Sequence, residues 1–248
     1  MPSPAARTTA GLVALVMVLA LPPIRLTATT VNLVSDDVKG RRPYRSPVRQ
    51  AQAAATRSRI TAAAGRLFTE RGYQGTTMAG IASAAGVSTP TVFAVFGSKP
   101  RVLAAAIVTA VRGDDMTEVR LRERPEWRAM LDAPTAAQLV ERFAALQAVI
   151  NTRAGALIDT ARVAAGTEPD LAELTAVGAA HRWDDCNDVA RALAAGQHLR
   201  PTVTLDTATD VLWTVCSAEL HRLLVIDRQW TLPAYQQWLT TTITANLL

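Results

Sequence analysis

Side chains able to do acid–base, nucleophilic or metal chemistry are few in this 248-residue chain, and they are scattered. The three histidines, His181, His198 and His221, share no ligand spacing with the two cysteines, Cys186 and Cys216, so no zinc site is expected. No G-x-S-x-G, H-E-x-x-H or phosphate-cradling glycine loop is present. The densest polar cluster, His181-Arg182-Trp183-Asp184-Asp185, reads as the exposed face of a helix. The two thiols read as buried and inert. We expect no enzyme, no metal and no cofactor.

The chemistry on offer is electrostatic. Residues 38–101 hold eleven basic side chains against one acid, Glu70, a net of +10. Residues 102–248 hold 13 basic residues against 18 acids, a net of −5. A polyanion-binding front end on an acidic body follows from that split. With 49% apolar and 19% charged residues the composition is globular, and two cysteines exclude a disulfide framework.

The N-terminus is separate in character. Residues 10–21, AGLVALVMVLAL, form an apolar run closed by Pro22 and Pro23, too short to span a bilayer as a helix. Three readings stand: a start placed too far upstream, an extension without a fold, or an export signal lacking a clean cleavage site. Arginine outnumbers lysine 24 to 2, which suits a GC-rich coding sequence in which Met17, Val38 or Val48 could be the start. Residues 35–47, SDDVKGRRPYRSP, read as a linker.

The elements that position this charge are helices. Thr56–Arg71 carries Ile60, Ala63, Ala64, Leu67 and Phe68 on one stripe, with Gly72 as the stop. Thr76 or Thr77 starts a short helix through Ala85. Gly86 ends it, Ser88 caps another to about Phe96, Gly97 ends that one, and Ser98 caps a longer helix to about Arg112. Further helices are expected near 116–130, 135–150, 152–165, 169–195, 206–226 and 233–247. Thr167-Glu168-Pro169-Asp170 and Thr231-Leu232-Pro233 are starts with proline in the first turn. No strand-period alternation is long enough to trust, so the fold class is all-α.

Within this series, Met78–Val95 has the spacing of a helix-turn-helix. Ile81, Ala85, Val87, Val92 and Val95 supply the contacts that lock two helices together, Ala82 is small where they cross, and Gly86 fits the turn. The second helix then offers Ser88, Thr89, Thr91 and Ala94 outward, small enough to enter a major groove.

The run Ile60–Ile107 resembles the DNA-binding module of the TetR family of bacterial transcriptional regulators. The motifs are LF-x-E-x-GY, TT-x-x-x-IA-x-AAGVS and F-x-x-FGSK. A softer resemblance covers Leu199–Leu239, similar to the C-terminal helices of many members. It implies an all-α homodimer, paired through its last two helices, on a pseudo-palindromic double-stranded DNA operator. It also implies a small-molecule effector that releases the protein from that operator, hence repression, in the cytoplasm with no stable membrane partner. The expected division is an extension over 1–51, a DNA-binding domain over 52–100, and an effector-binding and dimerisation domain over 101–248.

Carried over by motif position, phosphate contacts fall on Thr77 and Lys99. Base-facing candidates are Ser88, Thr89, Pro90, Thr91 and Phe93, with Arg57 and Arg59 as minor-groove or backbone contacts. Two residues depart from the family. Phe93 stands where tyrosine is usual, losing a hydroxyl, and so either touches a thymine methyl or merely packs. Pro90 stands where a glycine, polar or small residue is common. Trp127, Met130, Phe143, Arg153 and Trp183 are candidate pocket residues, and Arg153 and Trp183 are the two named for the effector. Val211, Val215, Leu220, Leu223, Leu224, Trp238 and Ile243 are core or dimer seam, with the seam favoured. The competing reading is an exported or membrane-surface helical protein, anchored by residues 10–24, whose basic stretch meets anionic lipid.

Overall fold

The computed structural model describes residues 47–113 and 120–248. The apolar run at 10–21, most of the linker, and the start candidates Met17 and Val38 lie outside the described residues. Among those described, the chain is helical throughout: α1 (Pro47–Arg71), α2 (Met78–Ala85), α3 (Thr89–Phe96) and α4 (Lys99–Arg112) come first. A 3-10 turn (Leu121–Glu123) leads to α5 (Pro125–Leu131), α6 (Ala136–Ala164), α7 (Pro169–Ala195), α8 (Leu205–Val215), α9 (Ala218–His221) and α10 (Leu232–Leu247).

Three expectations are corrected. The two helices expected over 135–150 and 152–165 are one helix of 29 residues, α6, whose buried face runs unbroken from Leu139 to Ala164. The polar Asn151-Thr152-Arg153 triplet lies within it, and Asn151 is a buried hydrogen-bond donor inside the helix. The helix expected over 206–226 breaks instead at Cys216-Ser217. Ser217 caps α9 by accepting from the Leu220 amide, and Arg222–Asp227 then follows as a π turn. Of the helix expected over 116–130, the described part is the 3-10 turn and α5.

Two apolar cores form. The first gathers Ile60, Phe68, Ile81, Val92 and Leu103 from α1–α4, and Leu157, Ala161, Ala164 and Leu171 from α6 and α7 complete it. The second lies among α5–α10 around Phe143, Leu193, Leu212, Tyr235 and Leu239. The front module is therefore seated on the ends of α6 and α7 instead of swinging free. Trp127, Met130 and Phe143 are buried members of the second core, with Trp127 edge-on to Phe143 at 6.4 Å between ring centroids.

A buried polar knot repairs the break after α8. Asn151 Nδ2 donates to Cys216 O at 3.0 Å and to the Tyr235 hydroxyl at 3.2 Å, with Ser217 O at 3.5 Å. His221 packs edge-on against Tyr235, and its Nε2 lies 3.4 Å from Thr152 Oγ1. Carbonyls freed where a helix stops must find a donor when buried, and Asn151 supplies it. Burial raises the Tyr235 hydroxyl to about 12 and lowers the His221 imidazole. Cys186 and Cys216 are free and buried, and burial lifts both thiols, that of Cys186 to about 12.

Candidate nucleic-acid interface

Local capping builds the front of the molecule. Thr77 is the N-cap of α2, and its hydroxyl accepts from the Gly80 amide at 3.0 Å. The neighbouring Thr76 does different work: it is buried, and its hydroxyl reaches Leu67 O (3.0 Å) and Gly72 O (2.8 Å) at the end of α1. Gly86 sits at φ 64°, ψ 41°, a left-handed turn that costs a side-chain-bearing residue about 1–2 kcal/mol. Its amide and that of Val87 close onto Ser83 O and Ala82 O. Ser88 caps α3, accepting from the Thr91 amide, and Pro90 falls in the first turn, where no N–H is needed. α3 leaves this turn bent 105° from α2, the angle of a helix-turn-helix.

The outward face of α3 is now defined. Val92 and Phe96 are buried, whereas Pro90, Phe93 and Ala94 are exposed and Thr89 and Thr91 half-buried. Phe93 is 48% exposed, so it does not merely pack. Ser98 takes the N-cap position of α4 but makes no side-chain cap bond, contrary to expectation. The start of α4 is held by its neighbour.

That neighbour is Lys99, whose ammonium points inward. Nζ donates to Tyr73 O at 3.0 Å and Thr76 O at 3.2 Å, and lies 3.9 Å from the Tyr73 ring centroid. Tyr73 in turn stacks on Phe68 at 6.0 Å. Lys99 thus satisfies carbonyls of the α1–α2 turn and fastens α4 to it, a role that its motif position did not suggest. Burial, helped by Glu168 and Asp170, raises the Tyr73 hydroxyl to about 12. Those two acids belong to the start of α7, so the charge of the body reaches this stack.

Arginines rim the unit. Arg57 lies over the Phe96 ring at 4.5 Å, Arg59 is exposed beside the Gly86 turn, and Arg101 approaches Gly97. Thr77, Ser88, Thr89, Pro90, Thr91 and Phe93 are brought together with these bases on one end of the molecule. The effector candidates lie elsewhere and apart. Arg153 lines an open groove of about 460 Å³ between α1, α4 and α6, with Thr61, Arg66 and Glu70. Its guanidinium packs against Gly113, where a Cβ would collide with it. Trp183 is 39% exposed on α7 and lines no part of that groove.

On the body, Val215 and Ile243 are buried in the chain's own core, which removes them from the expected seam. Val211, Leu220, Leu224 and Trp238 are half-buried, and Leu223 and Ile226 are exposed at 44% and 62%. On α7, Arg122 from the 3-10 turn forks onto Asp188 at 2.7 and 2.9 Å and reaches Asp184 at 3.6 Å. Burial raises the adjacent Asp185 carboxyl to about 7, against the pull of Arg122. Among the described residues no group of His, Cys, Asp and Glu could hold a metal, and no single helix is long and apolar enough to cross a membrane.

A capped helix-turn-helix rimmed by arginines and seated on a larger helical body is the architecture of a DNA-binding module. Residues 60–106 match the model of the bacterial regulatory proteins of the tetR family. Solved structures share the fold. A TetR transcriptional regulator from Chloroflexus aurantiacus J-10-FL is 21% identical, with 79% of this chain and 98% of that one covered at a TM-score of 0.58. A TetR transcription regulator from Haloarcula marismortui is 16% identical, covering 79% and 100% at 0.59. A protein from Saccharomonospora viridis assigned as a transcriptional regulator, solved with choline, is 19% identical, covering 78% and 98% at 0.61. No curated protein matches the chain. Residues 60–106 thus carry the DNA-binding module of the bacterial regulatory proteins of the tetR family, and the chain as a whole has the fold of these regulators.

Proposed function

We propose that the protein is a ligand-responsive repressor that binds a pseudo-palindromic operator as a homodimer. The observation that carries this is the exposed face of α3, set at 105° to α2 and rimmed by Arg57, Arg59 and Arg101. In this reading α3 enters the major groove with Ser88, Thr89, Pro90, Thr91 and Phe93 toward the bases, and the Thr77 end of α2 meets a phosphate. Lys99 contributes mainly by holding the α1–α2 turn, and one of its three N–H donors remains for a phosphate. Arg57 and Arg59 supply sequence-independent attraction.

The functional division is a DNA-binding domain over 52–100 and an effector and dimerisation domain over 101–248, with α4 shared between them. Leu223 and Ile226 on the Arg222–Asp227 π turn, with half-buried Trp238 on α10, support a dimer seam at the C-terminal helices. A small-molecule effector engaging Arg153 would draw its guanidinium from Gly113 and loosen the end of α4. Trp183 is the weaker effector contact, because it stands outside that groove. A cytoplasmic location suits such a regulator.

The test is a gel shift of the full chain on the duplex upstream of its own gene, against a shuffled duplex, at about 150 mM salt where phosphate-only binding is weakened. A discrete complex on the native duplex alone, with the mass of two chains per duplex by light scattering, is expected. Equal binding to both duplexes would leave only a polyanion binder, and a single-chain complex would overturn the dimer.

A further inference from the structure

The base-reading face of α3 carries almost nothing that can recognise a G·C pair. We infer that it reads thymine C5-methyl groups, so that operator half-sites place thymines opposite Phe93, Ala94 and Pro90. This rests on the DNA-binding reading above and specifies its ligand.

Guanine is read in the major groove by a donor pair aimed at O6 and N7, ordinarily from arginine or lysine, and adenine by asparagine or glutamine. From Ser88 to Phe96 the sequence STPTVFAVF contains none of these four residues. Its only side-chain donors are the hydroxyls of Ser88, Thr89 and Thr91, and the cap consumes part of that supply. Ser88 Oγ and Thr91 Oγ1 lie 2.8 Å apart, so one O–H is spent between them, and Ser88 Oγ also accepts from the Thr91 amide. The surrounding arginines are directed to the rim: Arg57 lies over Phe96, and Arg59 and Arg101 sit by the glycine turns at either end of α3.

The exposed remainder is hydrocarbon. Phe93 leaves nearly half its surface in water, and Pro90 and Ala94 flank it on the same face. An exposed phenyl ring on a helix otherwise trimmed to small residues gains by covering an apolar group, and the C5-methyl of thymine is the one such group the major groove displays. Thymine differs from cytosine there by that methyl and by an acceptor in place of a donor. A hydroxyl from Thr89 or Thr91 can donate to the thymine O4 acceptor beside it.

The experiment enriches binding sequences for the full chain from a random duplex pool, then replaces single thymines of the enriched half-site by deoxyuridine, which lacks only the methyl. Enriched half-sites should hold thymines at fixed positions. Deoxyuridine at one or more of them should weaken binding about fourfold, equivalent to about 0.8 kcal/mol for one buried methyl. Phe93→Ala should bind the thymine and deoxyuridine duplexes equally at the position that Phe93 covers. An enriched motif without thymine, or one indifferent to deoxyuridine at every position, overturns the methyl readout while leaving sequence-specific binding intact. No enrichment at all overturns the DNA-binding reading itself, and this inference with it.

Discussion

The module of α1–α4 and the body of α5–α10 are both wholly helical in the described residues, yet they are held by different kinds of interaction. In the module the helix-turn-helix is set by residues within a few positions of each helix end: Thr77 for α2, Gly86 for the turn, Ser88 for α3. The hydrogen bonds of Lys99 are the exception, crossing back to Tyr73 and Thr76. In the body the decisive bonds join residues far apart in the chain, as Asn151 does with Cys216 and Tyr235. A module built from local caps can hold a fixed surface toward DNA while the body beneath it rearranges.

That contrast can be broken by mutation. The largest effect is expected in the body, where Phe143→Ala empties a fully buried site and should cost about 3–5 kcal/mol in chemical denaturation. A loss under about 1 kcal/mol would mean the second core is not tightly packed. Next, Asn151→Leu leaves the Cys216 and Ser217 carbonyls without their donor and should cost about 2–3 kcal/mol. Survival at wild-type stability would show that the break after α8 needs no repair.

Asp185 sharpens the comparison through pH. Its folded value of about 7 lies above its ordinary 3.8, so the folded protein holds this proton more tightly than the unfolded chain. The stability it lends is fully present below about pH 4 and is lost as pH rises through about 7. Arg122, Asp188, Asp184 and Arg120 are the charges that face it. Asp185→Asn should therefore match the wild type near pH 4 and exceed it at pH 8 by about 1–2 kcal/mol. Equal stability at both pH values would place the carboxyl in water.

The smallest effect on stability belongs to the module. Gly86→Ala keeps open space around its new Cβ but strains a φ of 64°, so about 1 kcal/mol is expected in thermal unfolding. Operator affinity should fall by more than that, because the same turn sets the angle of α3.

Legibility in the sequence follows the same division. Gly86, Ser88 and the Ile81–Val95 spacing announced the helix-turn-helix because caps and turns are local chemistry. Thr76 and Thr77 could not be told apart, since either can cap and only burial makes Thr76 a pin onto α1. Lys99 was readable as a basic residue at a helix start but not as a donor to a turn 23 to 26 residues earlier. In the body, the single helix α6 is not legible as one, because the partners that bury Asn151 lie 65 and 84 residues away. Val215 and Ile243 looked like seam for the related reason that periodicity marks an apolar face without saying what covers it.

The most direct test of the account is hydrogen–deuterium exchange of the full chain with and without an enriched operator duplex. The account predicts slowed exchange over Thr77–Phe96, with the exposed face of α7 unchanged. Protection confined to α5–α10, or none between Thr77 and Phe96, would contradict it.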